Sequence, residues 1–240
     1  MNGPLDIYGL DENIGLHVIL SNLIWWMSVF LIIIAYRYRN MWNVGNIPWP
    51  YLFFGFLFFG IREAGHFSDS PIIGSLRYIF GIWSAIFLTF AFYFIYLVIC
   101  KRKKISRAFS YMPVALGLFF PVLMIYYYIT QNSLDEIKVI MSTLEALAWM
   151  LGSSVTIYTT FMLGTRVSGG FIKVFMFIQF SAYAAFTWKF LGLLERISWT
   201  VPYSIREVVE ILFGILAIIS VYMLAGMLRK LYRDIHGDKS

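Results

Sequence analysis

Charge is what this chain has least of. Of its 240 residues only 13% are Asp, Glu, Lys or Arg, while 60% are hydrophobic. Soluble domains carry about 25% charged and about 45–50% apolar residues. A soluble core has no room for such an excess, so the soluble globular classes are excluded and an integral membrane protein remains. Cysteine is nearly absent. The single Cys100 excludes an internal disulfide and any cysteine-based metal or redox centre. It stands before Lys101, Arg102, Lys103 and Lys104, where a palmitate would sit, although the plain reading is a passive residue at a helix end. Histidine is scarce too. His17 and His66 fall near the same membrane edge, which argues against facing axial ligands to a haem. Residues 1–13 hold no lysine or arginine, so no cleavable signal peptide is expected. The net charge of +6 is too thinly spread for nucleic acid, and no nucleic-acid partner is expected.

What is present in quantity is apolar sequence in long runs. A span needs about 20 apolar residues. The runs predict an all-α integral membrane protein, a bundle of seven transmembrane helices at about 14–35, 48–67, 72–100, 108–130, 139–163, 171–194 and 204–228. They form one domain over 1–230, followed by a polar cytoplasmic tail at 231–240. Pro113 and Pro121 predict a kink or wide turn in the fourth span. Residues 131–138 read as a polar connector, with helix open as its conformation, and Ser68, Asp69, Ser70 and Pro71 as a turn. Aromatic residues make up 20% of the chain and read as packing and lipid-facing surface, with Trp42 and Trp49 at the interface.

Orientation follows from lysine and arginine. Thirteen of the 19 basic residues fall on one side, at Arg37 and Arg39, Lys101–Arg107, Arg166 and Lys173, and Arg229–Lys239. Basic loops stay cytoplasmic. The reading is a multi-pass protein of the cell membrane, amino terminus outside and carboxy terminus inside, in contact with the lipid bilayer. Seven spans also divide as three, a linker and three, a parallel repeat. Faint internal matches agree: Phe80-Gly81-Ile82 with Phe213-Gly214-Ile215, and Trp25 with Trp149.

On this topology the ionisable groups inside the spans all fall in the outer half. The candidate polar pocket is Asn22, Arg62, Glu63, His66, Arg77, Glu145 and Glu210. Arg62 and Glu63 share a helix face with His66 at i+4 and i+3, and Arg206 shares one with Glu210. Glu145 is the deepest, about 9 Å below the start of its span at 1.5 Å per residue. A carboxylate at that depth is paired or protonated. Arg62, Arg77 and Arg206 are the available cations. Lys189 reads as snorkelling outward, and Glu195, Arg196 and Glu207 as solvated at the headgroups. An interhelical ion-pair belt that only fixes packing competes evenly with a pocket.

Three functions fit. The leading one is a sensory or ligand-binding protein whose outward-facing pocket takes a small extracellular ligand and whose basic inner loops meet a cytoplasmic partner. The second is a small proton-coupled transporter. The third is an intramembrane metal site or enzyme built on Glu63-x-x-His66, with Glu145, Glu207 and Glu210 as further oxygen ligands; only one Glu-x-x-His is present where dimetal bundles use two. No catalytic residue, metal or cofactor is assigned. The architecture, seven spans in this orientation, resembles that of microbial rhodopsins and G-protein-coupled receptors, without any specific motif. A retinal protein needs a lysine in mid-span seven, where the sequence has none before Lys230, so no retinal is expected.

Overall fold

A computed structural model describes residues 16–67, 71–131, 134–197 and 199–237. The start of the first span, the turn at 68–70, the His17 side chain and the last residues of the tail lie outside that description. Among the described residues there is no strand. The helices are α1 (Leu16–Arg37), α2 (Pro48–Ala64), α3 (Pro71–Ile99), α4 (Arg107–Ser110), α5 (Met112–Gln131), α6 (Leu134–Gly164), α7 (Gly170–Arg196) and α8 (Tyr203–His236). Six helical stretches are long and apolar enough to cross a membrane: α1, α3, α4 with α5, α6, α7 and α8. At 17 residues α2 is shorter. It rises about 25 Å at 1.5 Å per residue, and a 3₁₀ turn, Gly65–Phe67, prolongs it.

Contacts between helices close a ring. α1 packs on α2, α2 on α3, α3 on α6, α6 on α7, α7 on α8, and α8 returns to α1. α5 lies outside the ring, against α3 and α6. Only 11% of the α4–α5 span is buried, against 39–56% for the other spans. The ring follows from helical periodicity. On α1 the inward stripe is Trp25, Val29, Ile32 and Ala35; on α8 it is Phe213, Ala217, Val221, Leu224 and Leu228. The opposite faces show large apolar side chains such as Phe30, Leu151 and Tyr222, a surface suited to lipid.

In lipid no hydrophobic force drives one helix against another, so small residues and hydroxyls do that work. The α3–α6 seam closes on Gly81 and Gly152. A methyl at Gly152 would run into Thr89 Oγ1, and alanine there would push that hydroxyl off the Ala85 carbonyl to which it donates. The Ser84 hydroxyl donates to the Gly55 carbonyl across α2 and α3 (2.8 Å), and the Ser181 hydroxyl to the Phe213 carbonyl across α7 and α8 (3.1 Å). Such bonds average about 0.6 kcal/mol in a membrane. α5 is held more lightly, by the Trp83 indole N–H donating to the Gly117 carbonyl (2.8 Å).

Three boundaries sharpen the expectation, and the last of them changes it. The fourth span is broken at Tyr111 into α4 and α5, because Pro113 must sit in a first helical turn, where its missing N–H costs nothing. Ser106 caps α4 by accepting from the Phe109 N–H. The polar connector 131–138 is helical from Leu134, the conformation that its sequence leaves open. The tail is helical to His236, where Tyr232 stacks on His236 and packs against Tyr38.

Candidate functional site

Four ring helices bring charged side chains together inside the Arg62 end of the bundle. α2 carries Arg62 and Glu63 in its last turn, α6 carries Glu145 on its buried face, α7 carries Lys189, and α8 carries Glu210. Arg62 is the hub. Its Nε donates to Glu145 Oε1 (2.8 Å), and one terminal nitrogen meets both Glu63 Oε1 and Glu210 Oε1, the latter at 3.3 Å. Lys189 Nζ lies 2.8 Å from Glu145 Oε2. Glu145 thus bridges two cations with its two oxygens. Arg62, Glu63 and Glu145 are 1–5% exposed and Lys189 is 7% exposed, so solvent screens none of the pairs among them, and Glu210, at the half-buried edge, is the member most open to it. Breaking a pair at such depth costs about 3–5 kcal/mol, because it strands a buried charge.

The network stands on a floor of aromatic rings. Phe59 is its centre, with ring centroids 4.0 Å from Trp25, 5.3 Å from Trp149, 5.4 Å from Phe213 and 6.1 Å from Trp188. The Arg62 guanidinium lies 4.9 Å above the Trp188 ring, and Lys189 Nζ 3.7 Å from it. Ring faces attract cations where water is excluded. This explains how Arg62 and Lys189 share so small a volume: each has a carboxylate on one side and an electron-rich ring on another.

Beneath the floor runs an axial cavity lined by all six ring helices. Its walls are apolar apart from hydroxyls at Thr89, Ser153, Thr156, Ser181 and Ser220. It holds about 50 Å³, whereas one water takes about 30 Å³ of liquid. At the far end it stops at Trp42. That side chain comes from the α1–α2 loop and packs between Trp49, Phe171 and Phe175, with centroids 5.2–6.0 Å away. On the other side of Trp42 lies an open vestibule of about 510 Å³, lined among others by Arg102, Arg166, Asn43 and Ser168.

Of the seven residues expected to form a pocket, Arg62, Glu63, Glu145 and Glu210 converge and three do not. Asn22 is buried on α1, and its amide donates to the Val18 carbonyl one turn back (3.0 Å). His66 and Arg77 meet each other instead, with Arg77 2.8 Å from His66 Nδ1 and 3.1 Å from the Tyr78 hydroxyl. A guanidinium against the imidazole separates His66 from Glu63 as a metal-ligand pair. Among the described residues no group of three His, Cys, Asp or Glu side chains is placed to hold a metal ion. Arg206 bonds Glu195, on the neighbouring α7. Two expectations are corrected. Lys189 does not snorkel outward; it is buried in the network. Glu207 is not solvated either, at 2% exposed. The missed signal for Lys189 was depth: it lies seven residues before the end of α7, about 10 Å in at 1.5 Å per residue. Compared with protein-family models, with curated proteins and with solved structures, the chain matches none.

Proposed function

We propose that this chain is a proton-coupled transporter of a small solute, with seven spans in the cell membrane, amino terminus outside and carboxy terminus cytoplasmic. The observation that carries it is the axial cavity, lined by all six ring helices, with the charge network and its aromatic floor at one end and Trp42 at the other. The first is the outer barrier and Trp42 the inner one. A path through a bundle with one barrier on each side is what alternating access requires. The ring order also supports the three-plus-one-plus-three division. Under it α1 corresponds to α6, α2 to α7 and α3 to α8, and every ring contact maps onto another ring contact. Arg62 on α2 then corresponds to Lys189 on α7. Gly81 on α3 faces Glu145 of α6, and Gly214 on α8 faces Ile24 of α1.

Charge balance supports the coupling. The network holds two cations, Arg62 and Lys189, against three carboxyls, Glu63, Glu145 and Glu210. An unbalanced buried charge is costly, and one proton on a carboxyl removes it. A sensor with an outward-facing pocket, the leading expectation from sequence, needs room among the outer charges, and around Arg62 the carboxylates fill that room themselves.

The test is solute-driven proton movement in liposomes loaded with a pH dye. Flux is expected in the wild type and loss of at least tenfold in Glu210→Gln, which keeps the shape of a neutral carboxyl. A Glu210→Gln protein that moves protons as the wild type does would overturn the coupling. Saturable binding of an external ligand without any flux would restore the sensor.

A further inference from the structure

The cavity wall contains donors without acceptors. Trp25, Trp149 and Ser153 line the axial cavity, and neither indole N–H nor the Ser153 hydroxyl has a hydrogen-bond partner. Trp25 is 0%, Ser153 3% and Trp149 4% exposed. Buried polar groups are nearly always satisfied, and an exception calls for a physical explanation. An indole nitrogen donates only and accepts nothing, so whatever satisfies Trp25 and Trp149 must bring acceptor oxygens. These two residues correspond under the proposed repeat and come from α1 and α6, so the two rings flank the cavity from opposite halves.

The vestibule beyond Trp42 has its own chemistry. Two arginines, Arg102 and Arg166, line it with Asn43 and Ser168, and no carboxylate does so among the described residues. Arg102 is also the only non-glycine described residue with positive φ, at 51°. That conformation crowds the Cβ of an L-residue against its own backbone. Glycine would carry it more cheaply, so an arginine here keeps a charge at the mouth at some cost in backbone energy. Trp42 lines both spaces, and its indole is the partition between them.

We propose that the axial cavity binds a small organic carboxylate, that the Arg102–Arg166 vestibule gathers it on the cytoplasmic side, and that Trp42 is the gate between the two. This rests on the transport reading and names its substrate class. The carboxylate oxygens accept from Trp25, Trp149 and Ser153, while a short alkyl group faces the apolar wall. The present volume of about 50 Å³ limits the solute to two or three carbons, since a cavity that holds benzene is about 150 Å³. A negative solute below the aromatic floor also sits near the cations Arg62 and Lys189, which links its arrival to the proton balance of the carboxyls above.

The experiment has two arms, both in phosphatidylcholine nanodiscs. In the first, binding of radiolabelled acetate is measured with propionate and chloride as competitors. Saturable binding is expected, displaced by propionate far better than by chloride, and weakened at least tenfold in Trp25→Phe/Trp149→Phe. Ser153→Ala, which disturbs packing less, should weaken it several-fold. No saturable binding, equal displacement by chloride, or unchanged affinity in both variants would overturn the assignment. In the second arm Ser153→Cys is placed on a Cys100→Ser background and treated with a membrane-impermeant thiol reagent. Trp42→Ala should speed its labelling at least tenfold, and Arg102→Gln/Arg166→Gln should slow labelling by a negatively charged reagent but not by a neutral one. Labelling that ignores Trp42 would overturn the gate. If protons move with some other solute and acetate does not bind, the substrate class fails and transport stands. If acetate binds as described and nothing moves, transport fails and the site stands.

Discussion

The smallest change that reaches the charge network is Gly81→Ala. A methyl at Gly81 would lie 2.1 Å from Glu145 Oε1, 2.6 Å from Cδ and 2.8 Å from Cγ. Real contacts begin near 3.0 Å, so the carboxylate must retreat by about 1 Å. It cannot do so without leaving Arg62 Nε and Lys189 Nζ, each at 2.8 Å. With an effective dielectric of about 20, unit charges attract by about 6 kcal/mol at 2.8 Å and about 4.4 kcal/mol at 3.8 Å. Two pairs therefore lose about 3 kcal/mol, from which up to about 1 kcal/mol is recovered because alanine favours helix over glycine. The expected net cost is about 2 kcal/mol, measured by reversible unfolding in mixed micelles. Gly214→Ala is the control, since its nearest neighbour would be 3.1 Å away on the flexible Ile24; it should cost less than about 1 kcal/mol. Glu145→Asp is the partner change, because the shorter carboxylate leaves room for the methyl. If Gly81→Ala is as costly with Asp at 145 as with Glu, or if it stabilises the wild type, the network does not constrain the seam as described.

Other outcomes follow from the same geometry. Arg62→Met should destabilise by about 3–5 kcal/mol, because it leaves three carboxyls without their shared cation; unfolding in the same assay checks it. Arg77→Ala should cost less than about 1 kcal/mol and leave flux unchanged, since its His66 pairing is half-buried and outside the network. Trp83→Phe should remove the bond to Gly117 and cost about 1 kcal/mol, with faster amide exchange along α5 and little change in the ring. Tyr51→Phe should cost a similar amount by freeing the Ser110 carbonyl at the junction of α4 and α5, seen as a lowered unfolding midpoint.

Much of this was legible in the sequence. Long apolar runs give helices wherever backbone groups must satisfy themselves, and Arg62, Glu63, Glu145 and Glu210 were recognisable as a group by depth alone. What depth does not encode is azimuth. Asn22 sits at a suitable height but turns to its own backbone, and Arg77 pairs with His66 rather than with the carboxyls, because each faces a different neighbour. Lys189 was misread because a long side chain near a span end has two options, the headgroups or an acid across the bundle. Only the position of Glu145 on a different helix decides between them. The axial cavity and Trp42 were not legible either. A tryptophan in an asparagine- and proline-rich loop reads as an interfacial anchor until packing on Phe171 and Phe175 pulls it onto the axis.

The place of α5 outside the ring has a consequence for parity. Three crossings carry a chain from one side of a membrane to the other, so a second triplet joined directly to the first would enter upside down. One additional crossing restores its sense. α5 shares few of the ring's contacts and lines none of the axial cavity, so under the proposed seven-span, three-plus-one-plus-three topology what it supplies is a count rather than a surface. Any single apolar helix of similar length should therefore serve in its place, and the ring should reassemble around the cavity from two separately expressed halves.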